Sequence, residues 1–160
     1  MSEEFVMRPI GHVRSCFGEK FGTPRQSGIV PSAEGEVVFM EEVDASACWG
    51  LEEFSHVWLM FLFDQVSEDD VRWMVRPPRL GGNEKKGVLA TRSPFRPNRI
   101  GLSLVKLEGV EEGLLKVSGL DLVDGTPVLD VKPYLPYVES VEGAVGGFAG
   151  DAPEAMPVDF

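Results

Sequence analysis

Residues 100 to 120 read Ile-Gly-Leu-Ser-Leu-Val-Lys-Leu-Glu-Gly-Val-Glu-Glu-Gly-Leu-Leu-Lys-Val-Ser-Gly-Leu. Two apolar runs, Ile100 to Leu107 and Leu114 to Leu120, are separated by the pairs Glu108-Gly109 and Glu112-Gly113, which read as turns. Runs this short, bounded by turn residues, predict strands rather than helices. The same pattern continues outward, with Gly87 to Thr91 upstream and Val128 to Val131 downstream. Several short strands at near-regular spacing point to an all-β barrel or sandwich.

Towards the N-terminus, Phe5 to Val13 reads as a first strand, with Pro9 placing it at an edge or an early ladder position. Residues 14 to 35 are dense in Gly, Pro, Ser and charge, a long loop of the kind that carries function in compact domains. Gly35 to Met40 is a second strand, and Asp44 is placed to cap a short helix over Ala45 to Leu51. Val57 to Phe63 is seven apolar residues in a row, predicting a fully buried central strand with Asp64-Gln65 leaving at the rim of the core. A short helix capped by Ser67 is expected over residues 66 to 74, then an irregular cationic loop from Val75 to Lys86. Residues 139 to 160 hold four glycines, two prolines, five acids and no cation, the composition of a loosely held tail. The expected architecture is therefore one mainly β domain over residues 1–138, with short helices and long functional loops, and an acidic Gly/Pro-rich tail over 139–160.

The chain has 160 residues, 43% apolar and 26% charged, as an ordinary globular domain does. Its N-terminus lacks a signal-peptide pattern, its longest apolar run is too short to span a bilayer, and Cys16 and Cys48 indicate no disulfide framework. These features predict a cytoplasmic protein without membrane attachment. The net charge of −11 argues against indiscriminate nucleic-acid binding. Residues 72 to 99 nevertheless carry eight cations against Glu84 alone, so that segment is +7 and the remainder −18. Because charges are screened within about 8 Å at physiological salt, such a segment can attract a polyanion locally.

Ala90 to Gly101 concentrates Arg92, Arg96 and Arg99 among Pro94, Pro97 and Asn98. The prolines forbid a regular helix or central strand, so a stiff cationic loop results, able to present guanidinium forks to carboxylate or phosphate. No G-x-G-x-x-G opens a helix and no Walker-type loop is present. His12-x3-Cys16 and Cys48-x7-His56 match no zinc spacing, so no metal is expected. Asp121 and Asp124 flank a turn favoured by Gly125 and Pro127. Asp130 and Lys132 share a strand face by period two and can pair.

Taken together, Pro9-Ile10-Gly11 with Arg14-Ser15, Pro24-Arg25-Gln26, Gly50-Leu51-x-x-Phe54-Ser55-His56, Arg76-Pro77-Pro78-Arg79-Leu80-Gly81-Gly82-Asn83, Arg92-Ser93-Pro94-Phe95-Arg96-Pro97-Asn98-x-Ile100-Gly101-x-Ser103, and Leu120 to Pro127 with Asp130-x-Lys132-Pro133-Tyr134 resemble the TsaA/TrmO family. The resemblance covers about residues 7 to 140, in the family's order and spacing. It implies an antiparallel β-barrel-type methyltransferase domain that works as a homodimer. The implied reaction is S-adenosyl-L-methionine-dependent N6-methylation of N6-threonylcarbamoyladenosine at position 37, in the anticodon loop of tRNA.

By the same resemblance, the cofactor contacts fall on Gln26, Ser27 and Gly28, on Asp64 and Gln65, on Arg92 and Leu102, and on Asp121, Leu122, Val123 and Asp124. Arg92 is then suited to hold the cofactor carboxylate bidentately. Asp130 is the expected general base and Tyr134 the residue shaping its pocket. Phosphate contacts are expected from Arg72 to Arg99, with Arg96 and Arg99 facing tRNA or a partner subunit. Two departures from the family pattern stand out. Larger members carry a further C-terminal domain, which bears on tRNA selection and not on the cofactor site, and Asp64 stands where histidine is common. A methyltransferase of the same fold acting on a non-tRNA substrate, or a non-enzymatic cofactor-binding regulator, are the alternatives.

Overall fold

A computed structural model of the chain describes residues 3–16, 33–77 and 84–149. Six strands close into an antiparallel barrel: β1 (Gly11–Ser15), β2 (Glu34–Phe39), β3 (His56–Leu62), β6 (Ile100–Glu111), β7 (Leu114–Ser118) and β8 (Pro127–Pro133). Around the barrel they run β1-β2-β7-β6-β3-β8, and β8 returns to β1 through Gly11 opposite Val128. A separate two-stranded hairpin, β4 (Met74–Val75) with β5 (Lys86–Gly87), stands beside it. The one short helix with α geometry among the described residues, α1 (Pro136–Glu139), comes after β8. The mainly β expectation holds, and closure decides for barrel over sandwich. Among the described residues no helix is long and apolar enough to cross a membrane.

β3 pairs along its whole length with β6 on one side and from Val57 to Phe61 with β8 on the other. Its inward residues Val57, Leu59 and Phe61 are at most 3% exposed. Each such burial contributes about 1.5–3 kcal/mol relative to an exposed side chain. The strand is nonetheless not buried on both faces, as its unbroken apolar run predicted. His56, Trp58 and Met60 face outward and are only half-covered. The reason for apolar residues there is local cover: Trp58 packs edge-on against Tyr134, and its indole N–H donates to Glu139 of α1.

Other expectations need correcting. The first strand begins at Gly11, not Phe5, because the ladder to β2 begins at Gly11 opposite Phe39 and Phe5 to Met7 lie exposed. Asp44 does cap, accepting from the Ser46 N–H at 2.9 Å, but it opens two 3-10 turns rather than one helix. These are Ala45–Cys48 and Leu51–Glu53, split where Gly50 takes φ 91°. No helix forms over 66 to 74. The Ser67 hydroxyl accepts from the Asp69 N–H at 3.2 Å and stabilises a turn instead. The apolar run from Gly87 contains a 3-10 turn, Val88–Ala90, in place of a strand. Glu108-Gly109 is not a chain reversal but a bulge inside β6, where the pairing steps from Leu107–Val117 to Gly109–Lys116. A glycine inside a strand pattern often marks such a bulge. The reversal comes at Glu112-Gly113, where Gly113 has φ 78°.

Candidate active site

At one end of the barrel lies a cavity of about 810 Å³, in the upper part of the roughly 300–1,000 Å³ range of small-molecule sites. Its walls come from four places distant in sequence. They are the exit of β3 from Phe61 to Val66, the hairpin flank from Arg72 to Pro77 with Lys85, the loop Thr91 to Arg96 leading to the start of β6, and the turn Asp121 to Val123. Five cations (Arg72, Arg76, Lys85, Arg92, Arg96) face two carboxylates, Asp64 and Asp121, so the lining is net positive in a chain whose net charge is −11.

Each wall is pinned by bonds that use few residues. Arg99 donates from its guanidinium to the Val66 carbonyl at 2.6 Å, while its own carbonyl accepts from the Phe63 N–H at 2.8 Å. It thereby ties the β3 exit to the start of β6. Asn98 and Arg99 hold positive φ, 63° and 51°, to make that turn, a conformation that the bonds around it must over-determine. Arg96 donates to the Thr91 carbonyl at 2.6 Å and the Ser93 carbonyl at 3.4 Å, bracketing Arg92 from both sides. Arg96 and Arg99, expected to face tRNA or a partner, each direct one guanidinium nitrogen onto the protein's own carbonyls and are half-buried. Arg72 lies over the Phe95 ring, 3.8 Å from its centroid, and pairs with Asp70 at 3.1 Å.

The wall at Asp121 to Val123 is held from inside the barrel. Ser103, 1% exposed on β6, donates to Asp121 at 2.7 Å. Ser15 donates through its hydroxyl to the Leu122 carbonyl at 2.8 Å and through its N–H to Asp124 at 2.9 Å. A side chain on Gly101 would run into the Phe61 ring, which lines the cavity and packs edge-on against Phe63. Glycine is therefore required where β6 enters the site.

Of the residues expected from the sequence, Asp64, Gln65, Arg92, Leu102, Asp121, Leu122 and Val123 all line this one cavity. Asp124 does not; its carboxylate anchors the end of β1 to the same turn. Gln26, Ser27 and Gly28 lie outside the described residues. Asp130 and Tyr134, expected as base and pocket residue, are not among the lining residues. Met60 pairs with Leu102 on one side and Asp130 on the other, so Asp130 lies two strands, about 10 Å, from the Leu102 wall. Its carboxylate accepts from the Val131 N–H at 2.9 Å and pairs with Lys132 at 3.3 Å, the pairing that strand period implied. Tyr134 packs edge-on against His56 and Trp58 on the outer face.

Sequence reasoning held Ser103 in the family-like motif but gave it no site role, although a hydroxyl between the inward positions Gly101 and Val105 was the signal. It also missed the apolar wall formed by Phe61, Phe63 and Val66, which only the barrel's closure assembles.

Known proteins are similar to this chain in sequence and fold. The family model of the tRNA-methyltransferase O N-terminal domain matches residues 12–140. An Escherichia coli tRNA (adenine(37)-N6)-methyltransferase is 52% identical over 162 residues, covering 98% of this chain and 69% of the relative. A crystal structure of TrmO from Pseudomonas aeruginosa superposes with a TM-score of 0.78 at 46% identity, covering 94% of this chain and 65% of that one. An S-adenosyl-L-methionine-binding protein of Archaeoglobus fulgidus is 39% identical over 141 residues, covering 88% of this chain and 97% of the relative. Two Pseudomonas aeruginosa relatives named RcsF are 54% identical over 153 residues, and the chain spans 66% and 64% of their lengths, just under two thirds. By the family match and by identity above half with such relatives, the chain belongs to the tRNA-methyltransferase O family, to whose N-terminal domain it corresponds.

Proposed function

We propose that this chain binds S-adenosyl-L-methionine in the barrel-end cavity and methylates N6 of N6-threonylcarbamoyladenosine at position 37 of tRNA, in the cytoplasm and as a homodimer. The observation that carries the reading is convergence. Seven residues spread from Asp64 to Val123, singled out by family resemblance, meet in one cavity of suitable size. The lining fits the cofactor's chemistry. Arg92 offers a guanidinium fork to the carboxylate, Leu102 and Leu122 offer apolar surface to the adenosine, and the backbone of Asp121 to Val123 offers polar groups for its edge. Gln65 and the carboxylate of Asp121 complement the ammonium and sulfonium side, and Gln26 to Gly28 are assigned to the same ligand.

When bound, the cofactor supplies an electrophilic methyl group on a good leaving group, so the protein's task is placement. One guanidinium suffices for one carboxylate. Arg76 and Lys85 of the lining suit phosphodiesters, which supports RNA as the second substrate. The proton on N6 must leave to a carboxylate, since arginine cannot accept it. Asp130 is held by Lys132 and Asp121 by Ser103, whereas among the described residues no hydrogen bond or ion pair engages the Asp64 carboxylate. Asp64 is therefore assigned the proton in place of Asp130.

The Archaeoglobus relative, similar over nearly its whole length, favours a second reading, a cofactor binder without transfer. Incubation of the purified chain with methyl-tritiated S-adenosyl-L-methionine and tRNA lacking the N6-methyl mark separates the possibilities. Label in tRNA is the expected result. Label in a small molecule of a cell extract points to another substrate, and retention of unreacted cofactor points to the binder.

A further inference from the structure

Trp73 is 69% exposed between two residues, Arg72 and Met74, that both line the cavity. It is joined there by Met74, 52% exposed, and a cluster of exposed apolar side chains is more telling than one alone. Its backbone is not loose: the Trp73 carbonyl accepts from the Val88 N–H at 2.9 Å, and the next residue opens the β4–β5 ladder opposite Gly87. That bond also brings Leu89, 76% exposed, onto the neighbouring segment, so two large apolar side chains stand on adjacent stretches of backbone at the rim. Around them the same hairpin contributes Arg72, Arg76 and Lys85 to the cavity wall. Two ion pairs, Arg72–Asp70 and Lys86–Glu84, frame the patch without covering the indole.

We propose that Trp73 is a stacking platform for an unpaired RNA base beside the nucleotide that enters the cavity. The inference rests on the RNA reading given above and assigns the surface that reads the strand. An aromatic face offered among cations is how proteins grip single-stranded nucleic acid: the cations track the phosphates and the ring takes a base irrespective of its identity. An anticodon loop presents unpaired bases on both sides of position 37. With one base drawn into the cavity, its neighbour comes to lie on the rim, where Trp73 sits one residue from the lining. A second copy of this chain is the less suitable occupant, because a two-fold contact would set this cationic hairpin against itself.

The test uses the whole chain and an anticodon stem-loop RNA carrying N6-threonylcarbamoyladenosine at position 37. Trp73→Ala is expected to raise the KM for this RNA about 10-fold or more. Its S-adenosyl-L-methionine affinity and thermal midpoint are expected to stay at wild-type values. Trp73→Phe keeps an aromatic face and should restore KM to within about 3-fold of wild type, while abolishing the RNA-induced quench of tryptophan fluorescence. Wild-type turnover with an unchanged KM in Trp73→Ala overturns this inference alone. A wild-type chain that binds cofactor but neither binds nor methylates the RNA overturns the functional reading and the platform with it. A Trp73→Ala protein that sediments as a smaller species than wild type shows that another copy covers the ring, and also overturns the inference.

Discussion

Asp64, Asp121 and Asp130 carry the same group in three settings, and their settings divide the work. Asp121 is oriented by a buried hydroxyl, Asp130 is neutralised by Lys132 on an outer strand face, and Asp64 faces the cavity. Asp64→Asn is accordingly expected to lower kcat by about 10²–10⁴-fold, the usual effect of losing a positioned base. Asp130→Asn should keep kcat within about 3-fold; single-turnover methyl transfer compares the two. Arg92→Ala should weaken cofactor binding roughly 10- to 100-fold, as loss of a charge-assisted pair does, and calorimetric titration measures it. The sequence reveals the Asp130–Lys132 pair, because period two is a local rule. Local pattern alone cannot reveal that Asp64 and Asp121 meet at one cavity while Asp130 does not, because that depends on which strands the barrel brings together.

At the scale of elements, turns and bulges do the positioning. The β6 bulge leaves Glu108 without a strand partner, and its carboxylate accepts from Ser118 on β7 at 2.6 Å. That bond, helped by attraction to Lys106, holds the Glu108 carboxyl below its ordinary range. A depressed folded-state value stabilises the protein above the unfolded value of about 4.3 and is lost as pH falls through the folded one. Ser118→Ala should therefore lower the urea midpoint at pH 7, and the deficit should shrink below about pH 4. A deficit equal at both pH values would assign the loss to packing instead. Gly101→Ala should displace the Phe61 ring and cost both stability and cofactor affinity, read by thermal melting and calorimetry. Strands were legible in the longer apolar runs, whereas the short run from Gly87 folds as a 3-10 turn. The Glu108-Gly109 pair misled because a glycine after an acid reads alike in a turn and in a bulge, and only the pairing register separates them.

Across the whole molecule, an acidic body carries a cationic cavity, a separation already visible in the clustering of cations between residues 72 and 99. What the linear count did not show is that Arg96 and Arg99 spend their guanidiniums on internal carbonyls, leaving fewer cations for phosphate than the sequence suggests. The affinity for tRNA should fall about 10- to 100-fold between 50 and 200 mM salt, a slope set by a few phosphate contacts, while cofactor affinity changes far less. Filter binding at a series of salt concentrations measures both. The most direct test of the proposed activity traces the methyl group itself. The chain is incubated with S-adenosyl-L-methionine and an anticodon stem-loop containing N6-threonylcarbamoyladenosine, and the RNA is digested to nucleosides for mass spectrometry. The position-37 nucleoside is expected to become one methyl heavier, with the addition on N6, and Arg92→Ala is expected to require about 10- to 100-fold more cofactor for the same change. Bound cofactor with an unmodified position-37 nucleoside would contradict the proposed methyl transfer.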